Sequence, residues 1–107
     1  MDNIIKPELF ARYSEQKYQQ FQQWLRTPHG QKIYALFVQF SQIYKDAGHL
    51  KCGGNLIGNR LRWETGVVGA YQGYKLPNDY IPLLARQAAT DHEAFRDFYT
   101  FHGKATG

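Results

Sequence analysis

Apolar residues recur every three or four positions along most of the chain, the spacing of amphipathic helices around a shared core. Leu9, Phe10, Tyr13, Lys17, Phe21, Trp24 and Leu25 trace the first stripe. Pro7 suits its first turn, where a missing N–H costs nothing, and Glu8 suits the positive end of the helix dipole. The reverse face is rich in glutamine (Gln16, Gln19, Gln20, Gln22, Gln23) and reads as solvated surface built from good helix formers. This helix should stop near Arg26. Thr27-Pro28 then offers an N-cap and a proline at the first position of a second helix. Ile33, Leu36, Phe37, Phe40, Ile43 and Tyr44 form its stripe, and Ala47-Gly48 supplies a left-handed C-cap. With almost no loop between them, the two helices are expected to pair antiparallel.

Gly53-Gly54 predicts a flexible or tightly turned entry to a third helix over residues 55–65, ended by Gly66. Leu56 or Ile57, Leu61 and Trp63 or Glu64 point to the core, while Asn55, Asn59 and Arg62 share an outer face. Residues 67–76 mix β-branched and aromatic side chains with glycines, the composition of a short β-hairpin or extended loop near 66–76. Asn78 or Asp79 should cap a fourth helix, with Pro82 near its first turn. Tyr80, Leu83, Leu84 and Gln87 or Ala88 face inward along it, and Arg86 falls on a flank. Thr90-Asp91-His92-Glu93 has the form of a capping box that opens a last helix, with Ala94, Phe95, Phe98 and Tyr99 or Phe101 inward and Gly103 as the stop. The expected fold is mainly α, a compact bundle of about five helices in one domain over 1–107, frayed at about 1–6 and 103–107.

Composition supports a real core: 43% of the 107 residues are hydrophobic, with eight Tyr, seven Phe and two Trp. Net charge is +4 and the pI near 9.3, a mild bias toward polyanionic partners. The single cysteine, Cys52, excludes an internal disulfide and suits a reducing compartment. The longest apolar run, residues 34–38, is far too short to span a membrane, and the first residues lack the pattern of a signal peptide. A cytoplasmic protein without membrane attachment is expected.

Candidate chemistry narrows the picture further. His49 and Cys52 have a ligand-like spacing, with His92 and His102 beyond, but a closed zinc site needs four ligands, normally as two local pairs. No metal and no cofactor is expected, and Cys52 reads as a small buried hydrophobe. The acidic residues are few and most are absorbed by helix starts (Glu8, Asp79, Asp91, Glu93) or by the Arg60–Glu64 pair, and no paired carboxylates, nucleophile elbow or phosphate loop is present. An enzyme is not expected. What remains is a binding surface: Lys51, Asn55, Asn59 and Arg62 around the third helix, Tyr71, Tyr74 and Lys75 in the aromatic segment, and Arg86. Asn and Arg match adenine and guanine edges in a duplex, and Lys and Arg match phosphate.

Leu61-Arg62-Trp63, followed by Tyr74-Lys75-Leu-Pro-Asn78-Asp79-Tyr80-Ile-Pro82-Leu-Leu-Ala85-Arg86, resembles a family of small proteins encoded in bacterial prophages and scattered through bacterial genomes. The aromatic helix around Pro28 and the Phe95–Phe98 end resemble it too, so the likeness runs over about residues 10–100. Pro77 and Asp79 depart from it, standing where the family often has asparagine. The resemblance implies a phage-linked, all-helical small domain and no particular reaction.

Two functions follow as expectations. One is duplex-DNA binding of helix-turn-helix type through the basic Asn/Arg helix, with the second and third helices as the unit. The other is a protein-interaction factor, such as a phage-encoded inhibitor of a host defence or regulatory complex, for which the tyrosines of residues 67–76 have interface-like composition. A homodimer is compatible with either, and an alternative within the fold is that Arg62 and Arg86 bond caps and loop carbonyls as a structural network.

Overall fold

The computed structural model describes residues 7–49, 51–63 and 79–100, and the architecture they form is a compact, mainly helical bundle. Among the described residues there are four α-helices, α1 (Glu15–Arg26), α2 (Pro28–Asp46), α3 (Gly54–Trp63) and α4 (Tyr80–Asp91), and two short strands, β1 (Cys52–Gly53) and β2 (Tyr99–Thr100). The expected hairpin or loop near 66–76 lies outside the described residues.

The first helix starts later than its proline suggests. Pro7 leads only a 3-10 turn over Glu8–Phe10, and the chain bends until Ser14, whose hydroxyl accepts the Lys17 N–H at 3.0 Å and restarts it as α1. A serine with its own acceptor offers the backbone a cap in place of continued helix. Phe10 still reaches the core, edge-on to Tyr18 with ring centroids 5.0 Å apart. Thr27 does double duty between α1 and α2: its hydroxyl donates to Trp24 O at 2.7 Å and accepts from Gly30 N at 2.9 Å. The two helices therefore meet with a single residue between them. Gly30 sits so close to the end of α1 that a Cβ there would lie 2.0 Å from Trp24 O. Ala47-Gly48 closes α2 as expected, with Gly48 at φ +102°.

α4 is the central helix, packed against α2, α3 and the two 3-10 turns. It buries Ile81, Leu83, Leu84, Ala85, Arg86, Ala88 and Ala89, so its burial runs most of the way round, the mark of an internal helix. Phe21, Ile33, Phe37, Ile57, Leu61 and Phe95 complete the core around it. Its Gln87 takes the amide of Gln22 at 2.8 Å, so the glutamine face of α1 is not wholly solvated.

Two expected capping arrangements differ in the structure, the first at a helix that starts where the sequence places it. Asp79 stands at the N-cap position of α4 but makes no cap bond, because its carboxylate takes Lys17 Nζ at 2.7 Å; Asn78 lies outside the described residues. That bond holds the Asp79 carboxyl below its usual range. Thr90 does not open a fifth helix. Its hydroxyl donates back to Arg86 O at 2.8 Å, so α4 runs through it to Asp91. Among the described residues beyond His92 there are a 3-10 turn, Glu93–Phe95, and then β2. β2 pairs in parallel with β1, Cys52 opposite Tyr99 and Gly53 opposite Thr100, with Cys52 N donating to Phe98 O at 2.8 Å. The entry to α3 at Gly53 is therefore strand-paired. Tyr99 OH, buried, donates to Ser41 Oγ at 2.6 Å and Ser41 passes the bond on to Phe37 O, which ties β2 to α2.

Candidate nucleic-acid interface on the third helix

The orientation of α3 is set by two glycines four residues apart. A Cβ at Gly54 would come within 3.2 Å of Ala85 Cβ, and one at Gly58 within 2.6 Å of Ile81 Cδ1. Ascending residues of α3 thus meet descending residues of α4, so the pair is antiparallel and in close approach. Ile57 and Leu61 are fully buried on the same side. At about 100° per residue, Gly54, Ile57, Gly58 and Leu61 define the inner face, and its opposite is centred on Leu56, Asn59 and Trp63. Leu56 and Trp63 are accordingly 46% and 59% exposed. Of the two residues expected from the sequence at the first inward position, Ile57 and not Leu56 is buried, and Trp63 is outward because the glycines turn that side of the helix to α4.

The expected site residues separate on this frame. Asn59 lies on the outer face and is exposed, Arg62 is half-buried on one flank, and Asn55 occupies the first turn. Lys51 precedes β1, exposed, and its ammonium donates to Asp97 O at 2.9 Å. Arg86 is not on a flank. It is 6% exposed, its guanidinium 5.3 Å from the centre of the Tyr13 ring, with Nη1 donating to Pro82 O at 3.2 Å. Burial, and then the charge of Arg12, draws the affinity of that guanidinium for its proton down. Its position is that of a core strut bonded to a carbonyl of its own helix. Tyr71, Tyr74 and Lys75 lie outside the described residues.

Leu56, Trp63 and Arg60 of α3 join the site from structure alone, with Ile43 and Lys45 of α2 beside them in the chain. Arg60 lies on the flank opposite Arg62, with its guanidinium 4.8 Å from the centre of the Phe40 ring of α2. Ile43, three residues further along α2, is 48% exposed. Lys45 sits 5.8 Å over the Phe98 ring. Cations resting on rings keep their charge and gain a fixed position. Arg60 and Arg62 in the last turn of α3 also face the negative end of its dipole.

Along the sequence, residues 42–64 hold Lys45, Lys51, Arg60 and Arg62 against Asp46 and Glu64, a net of +2 within a chain whose total is +4. The C-terminal end of α4 has the other sign: a cavity of about 620 Å³ is lined by Glu8, Asp91, Glu93 and Asp97 with Arg96. Asp91 is a structural acceptor there, taking Tyr34 OH at 2.7 Å and the Gln87 amide at 3.1 Å. Among the described residues no group of three His, Cys, Asp or Glu side chains is placed to hold a metal. Cys52 is buried, its thiol aimed at Gly53 O at 3.4 Å, and burial pushes that thiol up, opposite to the activation a nucleophile needs. No described helix is long and apolar enough to cross a membrane. The outer side of α3 thus presents Asn59 and Trp63, with Arg60 and Arg62 on its flanks. Comparison of the chain with protein-family models, with curated proteins and with solved structures gave no match.

Proposed function

We propose that this is a small nucleic-acid-binding protein whose contact surface is the outer face of α3 together with the segment from the end of α2. The observation that carries the reading is the pair of arginines, Arg60 and Arg62, on the two flanks of an outward face that bears Asn59 and Trp63. Lys45, Lys51, Arg60 and Arg62 would meet phosphates, and Asn59 would meet bases. Asn and Arg are the side chains that match base edges, whether in the groove of duplex DNA, the partner expected from the sequence, or on an exposed strand. A helix-turn-helix unit is less well supported, because α2 and α3 are joined by residues 47–53, which contain β1, where that motif uses a turn of three or four residues. A phage-linked role follows from the resemblance of residues 61–63 and 74–86.

A salt titration of binding by fluorescence anisotropy, with melting curves beside it, tests the reading. Binding should weaken steeply with salt, and Arg60→Ala or Arg62→Ala should lower the log–log slope by about 0.7–0.9 each. Absence of binding at low salt by a folded protein refutes it. The second reading, a protein-interaction factor, is favoured by the exposed Ile43, Leu56 and Trp63, and it predicts partner binding that survives high salt.

A further inference from the structure

Resting on the nucleic-acid reading, we infer that Trp63 is a base-stacking platform and that the strand taken by this face is unpaired. Trp63 is 59% exposed, at the centre of the outer face of α3. An indole has one N–H donor and no acceptor, so it carries little of the hydrogen-bond pattern needed to read groove edges. Its faces, by contrast, match any unstacked base. In a duplex those base faces are already covered by their neighbours; in a single strand they are available.

The surroundings suit a strand laid across the ring. Arg60 lies about 60° round the helix from Trp63 on one side and Arg62 about 100° on the other, so cations flank the aromatic surface. Asn59 sits one turn back from Trp63 on the same face, able to bond a base edge beside the stacked one. Leu56 extends the apolar strip by a further turn. Cations tracking the backbone with an aromatic ring between them is the composition of sequence-tolerant single-strand grooves.

Charge selects this occupant over a second copy of the chain. A twofold dimer centred on Trp63 would gather four arginines, Arg60 and Arg62 of each copy, in one interface, like charge near like charge. A polyanion neutralises the same residues.

The test compares a labelled oligothymidine of about 15 nucleotides, an abasic strand of equal length and charge, and a duplex of that length, by anisotropy at one low salt concentration. The oligothymidine should bind tightest of the three. Trp63→Ala should weaken it by roughly 5- to 150-fold with the salt slope unchanged, and Trp63→Phe should recover part of the loss. In a Trp24→Phe background, emission from Trp63 should be quenched on binding. Equal affinity for the abasic strand or the duplex, or no effect of Trp63→Ala, overturns stacking and leaves the polyanion reading standing. No binding to any of the three removes both. Self-association in the absence of nucleic acid, lost in Trp63→Ala, assigns the face to a second copy and overturns the inference.

Discussion

Gly58→Ala probes the contact that fixes the candidate site in place. The added methyl would lie 2.6, 2.8 and 2.9 Å from Ile81 Cδ1, Cγ2 and Cγ1. Carbon atoms in good contact are about 3.5–4.0 Å apart, so three overlaps of about 1 Å must be relieved. Cδ1 can swing away, but Cγ1 and Cγ2 are bonded directly to Cβ of a β-branched residue with stiff χ1, and Ile81 is only 2% exposed. The helices must therefore separate or Ile81 must leave its rotamer, at about 1–3 kcal/mol for overpacking. Alanine in place of glycine within a helix returns about 0.8–1.0 kcal/mol. Three simultaneous overlaps, two of them with atoms bonded directly to Cβ, place the cost in the upper part of that range, about 2–3 kcal/mol, so the net expectation is a loss of about 1–2 kcal/mol, or roughly 5–15 °C in melting temperature for a chain of this size. Urea and thermal unfolding followed by circular dichroism measure it, with the exposed Asn59→Ala as the propensity control. Ile81→Ala alone should cost about 2–5 kcal/mol. In the double variant the new methyl occupies part of the vacated space, so the combined loss should fall short of the sum by about 1 kcal/mol or more. Wild-type stability of Gly58→Ala, or strict additivity in the cycle, would refute the idea that this glycine sets the α3–α4 spacing.

Gly30→Ala should be harsher, because its methyl meets backbone, 2.0 Å from Trp24 O, and nothing short of moving α1 from α2 relieves it; a loss above about 3 kcal/mol or failure to fold in expression trials is expected. Burial pushes the Tyr34 and Tyr99 phenols above their ordinary range, helped at Tyr34 by its bond to Asp91, so both keep their protons in the folded state after unfolded tyrosine loses its own near pH 10. Stability should be fully present below that pH and fall above it by up to about 1.4 kcal/mol per pH unit for each ring, a decline that Tyr34→Phe and Tyr99→Phe should flatten in melts between neutral and strongly alkaline pH. Cys52, 5% exposed with a raised thiol, should react with iodoacetamide only as fast as the fold opens, so alkylation as rapid as that of a free peptide thiol would contradict its placement.

The parts of this fold that are legible in the sequence are the local ones. Thr27-Pro28 and Ala47-Gly48 bound α2 because each device acts within one turn of itself, and the Phe21, Ile33, Phe37 and Phe40 spacings name core residues because helical burial follows period. Illegible parts depend on competition or distance. Ser14 and Thr90 have the same kind of hydroxyl, yet one caps a helix and the other back-bonds within one, and only the surrounding packing chooses. The β1–β2 ladder joins residues nearly half the chain apart through two pairs, with no periodicity to announce it. Arg86 has the composition of a surface residue and is buried because Tyr13 and Pro82 O receive it. For the site, Asn59 and Arg62 were findable from their types, whereas Trp63 was hidden by the rule that tryptophan goes inside.

The register of α3 explains why that rule fails here, and it joins the fold to the site. Two apolar sets compete for the inner face: Ile57 with Leu61, and Leu56 with Trp63. Burying either pair is worth a few kcal/mol, so the hydrophobic term alone barely separates them. Shape decides. With Ile57 and Leu61 inward, Gly54 and Gly58 also face α4 and let it approach until Ala85 and Ile81 touch the α3 backbone. With Leu56 and Trp63 inward, the indole would hold the axes apart, and the contacts of both glycines with α4 would be lost. The glycines thus stabilise the arrangement that leaves an aromatic ring outside among cations. Any substitution that widens the α3–α4 gap should therefore act on binding as well as on stability. Gly58→Ala, in a Trp24→Phe background, should change the emission of Trp63 and the affinity for oligothymidine together. A variant that loses stability while both of those stay at their starting values would separate the docking face from the glycine contact and break this link.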